Sequence, residues 1–200
     1  MNYSYLALGD SYTIGEKVLL SESFPYQTVQ LLRQNNLKFF SPEIVAKNGW
    51  TTDELQNKIS SILFLEKYDF VSLLIGANNQ YLKKDLAEYG IQFELLLQKA
   101  ISLSGNNVKN VFVLSIPDWS KMPFAKELDI EKIEEEIAAF NENCRNITQK
   151  LGCTFIDTMP QLLDNSDPKM IAEDGLHPSG FEYSKWAKML AAAIAEVCSA

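Results

Sequence analysis

The 200-residue chain contains a single histidine, His177, and only three cysteines, Cys144, Cys153 and Cys198. An odd number of cysteines with no metal-ligand spacing predicts free, buried thiols in a reducing cytosol, and no bound metal. Basic residues are also few: 18 Lys and Arg against 26 Asp and Glu give a net charge of −8, with no local run of Lys or Arg. A nucleic-acid backbone or an anionic membrane would repel such a chain, so neither is expected as a partner. No stretch approaches the ~18 to 20 continuous apolar residues of a membrane span. The opening "MNYSYLALGDSY" lacks the basic segment of a secretory signal, which again predicts a cytoplasmic protein. Repeats, low-complexity tracts and linkers are missing too, and 200 residues suit one domain, 1–200. The "NIT" triplet at Asn146 falls within a predicted helix and is read as chance.

What the chain does have is alternation. Short apolar runs at 3–8, 43–47, 70–75, 111–116 and 153–156 read as strands, the third and fourth apolar enough to be buried on both faces. Between them lie helical patterns. The clearest spans 130–151, where Ile130, Ile133, Ile137, Phe140, Cys144, Ile147 and Leu151 form one stripe and a run of Glu and Lys forms the solvated face. A helix near 84–104 stops at Gly105, and another runs from about 180 to 197. Thr51 with Glu54, and Ser179 with Glu182, match the capping-box pattern. The order predicts an α/β protein of three layers, α/β/α. Its flavodoxin-like sheet has about five parallel strands in the order 2-1-3-4-5, with helices on both faces.

In such sheets ligands gather at the carboxyl ends of the strands. Those ends carry Gly9, Asp10 and Ser11; Asn48, Gly49, Trp50, Thr51 and Thr52; Gly76, Ala77, Asn78 and Asn79; Pro117, Asp118 and Trp119; and, further on, "EDGLHPSG" with Asp174 and His177. Serine is a weak nucleophile until a base takes its proton. The sole histidine is the candidate base, and Asp174, three residues earlier, is a candidate to orient its ring. Gly175 lets that loop fold back, while Pro178 biases His177 towards extended backbone. Donors for a developing oxyanion are at hand in the backbone N–H of Ser11, the backbone N–H of Gly49 and the side-chain amide of Asn78. Asp10 and Asp118 are read as structural hydrogen-bonding groups. Tyr12, Trp50, Trp119 and Phe124 sit beside these loops as candidate substrate contacts, and 117–127 is the expected substrate-facing loop. "GDSYTIG" fits none of the Walker A, Gly-x-Gly-x-x-Gly or Gly-x-Ser-x-Gly patterns.

With Ser11, Gly49, Asn78 and His177 in this order, the chain resembles the SGNH hydrolases, the GDSL-type esterases and lipases, from "GDS" to "DGLHPS". The resemblance implies a cofactor-free serine esterase acting on small or soluble esters through an acyl-enzyme. It makes Ser11 the nucleophile, Gly49 and Asn78 oxyanion donors, His177 the base and Asp174 its orienting partner. The chain departs from the family in Tyr12, where leucine is usual, and in Asn79, where the family carries an aspartate that supports the loop. Two alternatives stay open: an acyltransferase of the same family, and a non-catalytic flavodoxin-like binding module. Nothing in the sequence specifies an oligomeric state.

Overall fold

A computed structural model describes residues 2–158 and 168–199. Five parallel strands form one sheet in the order β2-β1-β3-β4-β5: β1 (Tyr5–Gly9), β2 (Glu43–Ala46), β3 (Phe70–Leu74), β4 (Val111–Leu114) and β5 (Thr154–Ile156). The register sets Leu8 beside Val45 and Leu73, Leu73 beside Val113, and Val113 beside Phe155. Every residue of β1, β3 and β4 is buried, whereas the edge strands β2 and β5 are partly exposed. That difference matches the continuous apolar runs of the central strands, which helices cover on both sides.

The helices are α1 (Ser11–Ile14), α2 (Phe24–Gln34), α3 (Thr52–Ile59), α4 (Ala77–Tyr81), α5 (Leu86–Leu103), α6 (Ile130–Lys150) and α7 (Gly180–Ser199). α2 packs on α7 in one layer, while α3 and α6 flank α5 in the other. Trp186 of α7 is fully buried against Phe24, Tyr183 and Tyr12. The α6 stripe reaches the core through Ile133, Ile137, Phe140 and Cys144. No helix among the described residues is long and apolar enough to cross a membrane.

Strand ends differ from the sequence reading for identifiable reasons. Ile116, apolar and predicted as strand, leaves the ladder because the Asn141 side chain takes both its backbone groups, with Ile116 N–H donating to Oδ1 at 2.7 Å and Asn141 Nδ2 donating to the Ile116 carbonyl at 2.9 Å. At the head of α3, the Thr51 N–H donates to the Glu54 carboxylate at 3.0 Å, so that arm of the capping box forms. At α7 only the other arm does: Ser179 Oγ accepts from the Glu182 N–H at 3.3 Å, while the Glu182 carboxylate turns to Lys185 at 2.8 Å. Of the three free thiols, Cys144 and Cys153 are buried. Cys198 is only half-buried, a correction that follows from its place in the last turn of α7.

Candidate active site

The stretch "GDSYTIG" is both a turn and a pedestal. β1 ends at Gly9, where a Cβ would lie 2.1 Å from Thr13 Oγ1 and 2.3 Å from the Leu74 carbonyl oxygen, so no side chain fits. Asp10 then caps α1, accepting from the Tyr12 N–H at 3.0 Å, and Gly15 closes the turn in the left-handed region at φ 74°. Ser11 is thereby the first residue of a one-turn helix at the carboxyl end of β1, between β2 and β3. Its own N–H has no carbonyl to bond within the helix.

The C-terminal loop delivers the histidine. Ile171 and Pro178 bridge antiparallel, the Ala172 N–H donates to the His177 carbonyl at 2.8 Å, and Gly175 turns the loop at φ 70°. Asp174 organises the tip, its Oδ1 accepting from the N–H groups of Leu176 and His177, each at 3.0 Å. Its Oδ2 lies 2.6 Å from His177 Nδ1, and His177 Nε2 lies 2.9 Å from Ser11 Oγ. Burial on its own would raise the Asp174 carboxyl, but the imidazole and the two N–H donors outweigh it and hold it below the usual carboxylate range. An ionised carboxylate only accepts, so Nδ1 carries the ring proton and Nε2 offers its lone pair to the serine.

Asn78 opens off the first turn of α4, immediately after β3. Its Nδ2 donates one hydrogen to the Trp50 carbonyl at 2.9 Å, and the residue also lines the cavity beside Ser11. Gly49 occupies a turn closed by the Trp50 N–H on the Lys47 carbonyl at 3.3 Å, with φ 83° and open space where a Cβ would stand. Its neighbour Asn48 lines the cavity, whereas Gly49 and Trp50 do not; Trp50 is half-buried against the core.

The cavity measures about 210 Å³. Ser11, His177 and Asn78 meet in it, and Tyr12, Tyr81, Trp119, Phe124 and Leu176 wall it. Tyr12 packs its ring 5.2 Å from that of His177. Trp119 stands edge-on to Tyr81 and Phe124, at 5.6 and 6.1 Å, and its Nε1 donates to Gln80 Oε1 at 2.9 Å. Gln80 in turn donates to Glu136 of α6 at 2.8 Å, which fixes the amide orientation and with it the indole. Tyr81 and Gln80 were not among the residues singled out from the sequence. The signal was their position three and two residues after Asn78, readable only once "ANNQY" is taken as a helical turn.

Asp118 caps the 3-10 turn Trp119–Lys121 through the Ser120 N–H at 3.0 Å, and its other oxygen lies 3.5 Å from Lys121 Nζ. Among the described residues no cluster of His, Cys, Asp or Glu is placed to hold a metal ion.

The profile of the GDSL-like lipase/acylhydrolase family matches residues 7–185. The chain therefore belongs to that family, a class of hydrolases acting on ester bonds. Solved structures of similar fold include a lipase/acylhydrolase from Enterococcus faecalis, with a TM-score of 0.76 at 17% identity over 97% of this chain and 95% of that one. An acetylxylan esterase from Geobacillus stearothermophilus superposes with a TM-score of 0.73 at 18% identity, covering 96% and 94%. The psychrotrophic esterase EstA from a Pseudoalteromonas species does so with a TM-score of 0.75 at 13% identity, covering 100% of both chains. Comparison with curated protein sequences finds no match.

Proposed function

We propose that this single domain is a serine esterase that hydrolyses carboxylic esters of small or soluble substrates through an acyl-enzyme on Ser11. The observation that carries the reading is the His177 imidazole spanned between Ser11 Oγ at 2.9 Å and the Asp174 carboxylate at 2.6 Å. Ser11 Oγ attacks the ester carbonyl as its proton passes to His177 Nε2. The imidazolium, steadied by ionised Asp174, gives that proton to the departing alcohol oxygen. Water then attacks the acyl carbon, loses a proton to the same Nε2, and the acid leaves as Ser11 Oγ recovers its hydrogen. The carbonyl oxygen, negative in both tetrahedral intermediates, is met by the Ser11 N–H and the second hydrogen of Asn78 Nδ2, both of cavity-lining residues, and the family resemblance adds the N–H of Gly49, next to cavity-lining Asn48.

The cavity suits this chemistry. Its walls are largely aromatic and aliphatic, and Tyr81 and Phe124 at its rim are 50% and 45% exposed, so a soluble ester can enter without a lid having to move. Purified protein is expected to turn over p-nitrophenyl acetate or butyrate, and to be labelled at Ser11 by a fluorophosphonate. Ser11→Ala should lose both activities. Equal turnover by the two proteins would end the assignment, and transfer of the acyl group to an added alcohol in preference to water would make the protein an acyltransferase.

A further inference from the structure

Asn79, the residue that stands where the family carries a carboxylate, is fully buried, and each of its polar atoms is spoken for. Its Oδ1 accepts from the Thr52 N–H at 3.0 Å, and its Nδ2 donates to Thr52 Oγ1 at 2.7 Å. A hydroxyl that accepts from Asn79 must send its own hydrogen elsewhere, and Thr52 Oγ1 sends it to Gln92 Oε1, at 2.5 Å. Gln92 can receive it because its Nε2 faces the other way, donating to Glu88 Oε1 at 2.9 Å. The Glu88 carboxylate accepts only. The chain of hydrogens therefore runs one way, from Asn79 through Thr52 and Gln92 to Glu88, and neither amide can be turned over without breaking two bonds.

We propose that Gln92 and Glu88 of α5 are positioning residues for the oxyanion side of the site, acting through Thr52 and Asn79. The inference rests on the esterase reading above. Two clamps join the 48–52 segment to α4: Asn79 on Thr52, and Asn78 on the Trp50 carbonyl. Together they tie the turn that carries Gly49 to the helix that carries Asn78, two segments that follow different strands. A carboxylate at position 79 accepts from both the N–H and the hydroxyl of Thr52, and needs no partner on α5. An amide there reverses the hydroxyl, and Gln92 supplies the acceptor that this reversal demands. Asn79 and Gln92 are thus a matched pair, and the hold on Thr52 runs through two amides that end on the Glu88 carboxylate.

The test is a cycle of three variants, Gln92→Leu, Asn79→Asp and the double variant, each checked for folding by circular dichroism. Hydrolysis of p-nitrophenyl butyrate is measured alongside amide hydrogen exchange over residues 48–53. Gln92→Leu strands the Thr52 hydrogen and is expected to lower kcat about tenfold with KM within about twofold, because donors are displaced but substrate contacts are kept. Asn79→Asp alone is expected to keep kcat within about threefold of wild type, because the carboxylate accepts from both Thr52 groups without Gln92. In the double variant the carboxylate takes the Thr52 hydrogen and leucine leaves no orphaned oxygen, so kcat recovers to within about threefold of wild type. Exchange over 48–53 quickens in Gln92→Leu and slows again in the double variant. Unchanged kcat and exchange in Gln92→Leu, or a double variant as impaired as the two singles combined, would overturn the proposal. A wild-type protein that turns over no ester overturns the esterase reading instead, while the exchange data still decide whether the relay holds the loop.

Discussion

His177 Nδ1 lies 2.6 Å from Asp174 Oδ2 while its Nε2 lies 2.9 Å from Ser11 Oγ, so one ring is committed at both ends. Asp174→Asn keeps the acceptor for the Leu176 and His177 N–H groups but turns an NH₂ towards Nδ1. The ring must then accept at Nδ1 and carry its hydrogen on Nε2, where it donates to Ser11 instead of accepting. Loss of kcat by about 10³- to 10⁴-fold is expected, with little change in KM. Steady-state kinetics of the purified variant provide the check, and a loss under tenfold would show that Asp174 merely shapes the loop.

The two oxyanion donors proposed outside α1 make different predictions. Asn78→Ala removes the amide that faces the cavity and frees the Trp50 carbonyl, so kcat should fall by about 10²- to 10³-fold. Gly49→Ala meets no steric obstacle, since nothing lies within 4 Å of the new Cβ, but holds alanine at φ 83°. Its expected cost is backbone strain of roughly 1–2 kcal/mol, read by urea denaturation. If alanine costs nothing there, the turn relaxes, and the kcat of the same variant then reports whether the N–H moved with it.

Trp119 is expected to be the stiffest wall of the cavity, because Gln80 and Glu136 hold its indole nitrogen. Gln80→Leu leaves that buried N–H without an acceptor and should cost about 1–3 kcal/mol of stability. Trp119→Ala enlarges the cavity beside Tyr81 and Phe124. It should flatten the dependence of kcat/KM on acyl length across a series of p-nitrophenyl esters, with KM changing more than kcat. An unaltered length profile would place the acyl group elsewhere.

Much of this arrangement could be read in the sequence because it depends on short-range rules. Strand burial follows from runs such as "FVSLLI", the parallel sheet covered on both faces from strict alternation, and the convergence of Ser11, Asn78, Asp174 and His177 from their places after β1, β3 and β5. The parts that escaped are those decided by distant side chains. Asn141 on α6 removes Ile116 from β4, and no local pattern announces it. Gln80 is buried only because Trp119 and Glu136 converge on it from two other elements. Cys198 reads as core by residue type, yet its place in the last turn of α7 leaves it half-buried.

Asp10 carries the last prediction. It is fully buried beside Ser11; Oδ1 caps α1, and Oδ2 has no hydrogen-bond partner among the described residues. Burial pushes its carboxyl from the ordinary 3.8 to about 7, against the smaller opposing pull of the Tyr12 N–H and its own. The unfolded chain releases this proton near pH ~3.9, so between that pH and 7 the folded state binds more protons than the unfolded one. Stability from this group is therefore greatest below about pH 4, declines as pH rises to 7, and is level beyond. The shift corresponds to a loss on the order of 4 kcal/mol. Asp174, held low, acts in the opposite sense, its contribution present above about pH 4 and lost as pH falls through its depressed value. Asp10→Asn keeps the Oδ1 acceptor and mimics the neutral carboxyl. Urea denaturation should find it close to wild type near pH 4, more stable than wild type at pH 8, and less dependent on pH in between. Parallel pH curves for the two proteins would mean that Asp10 stays ionised in the folded state, with its free oxygen reached by solvent.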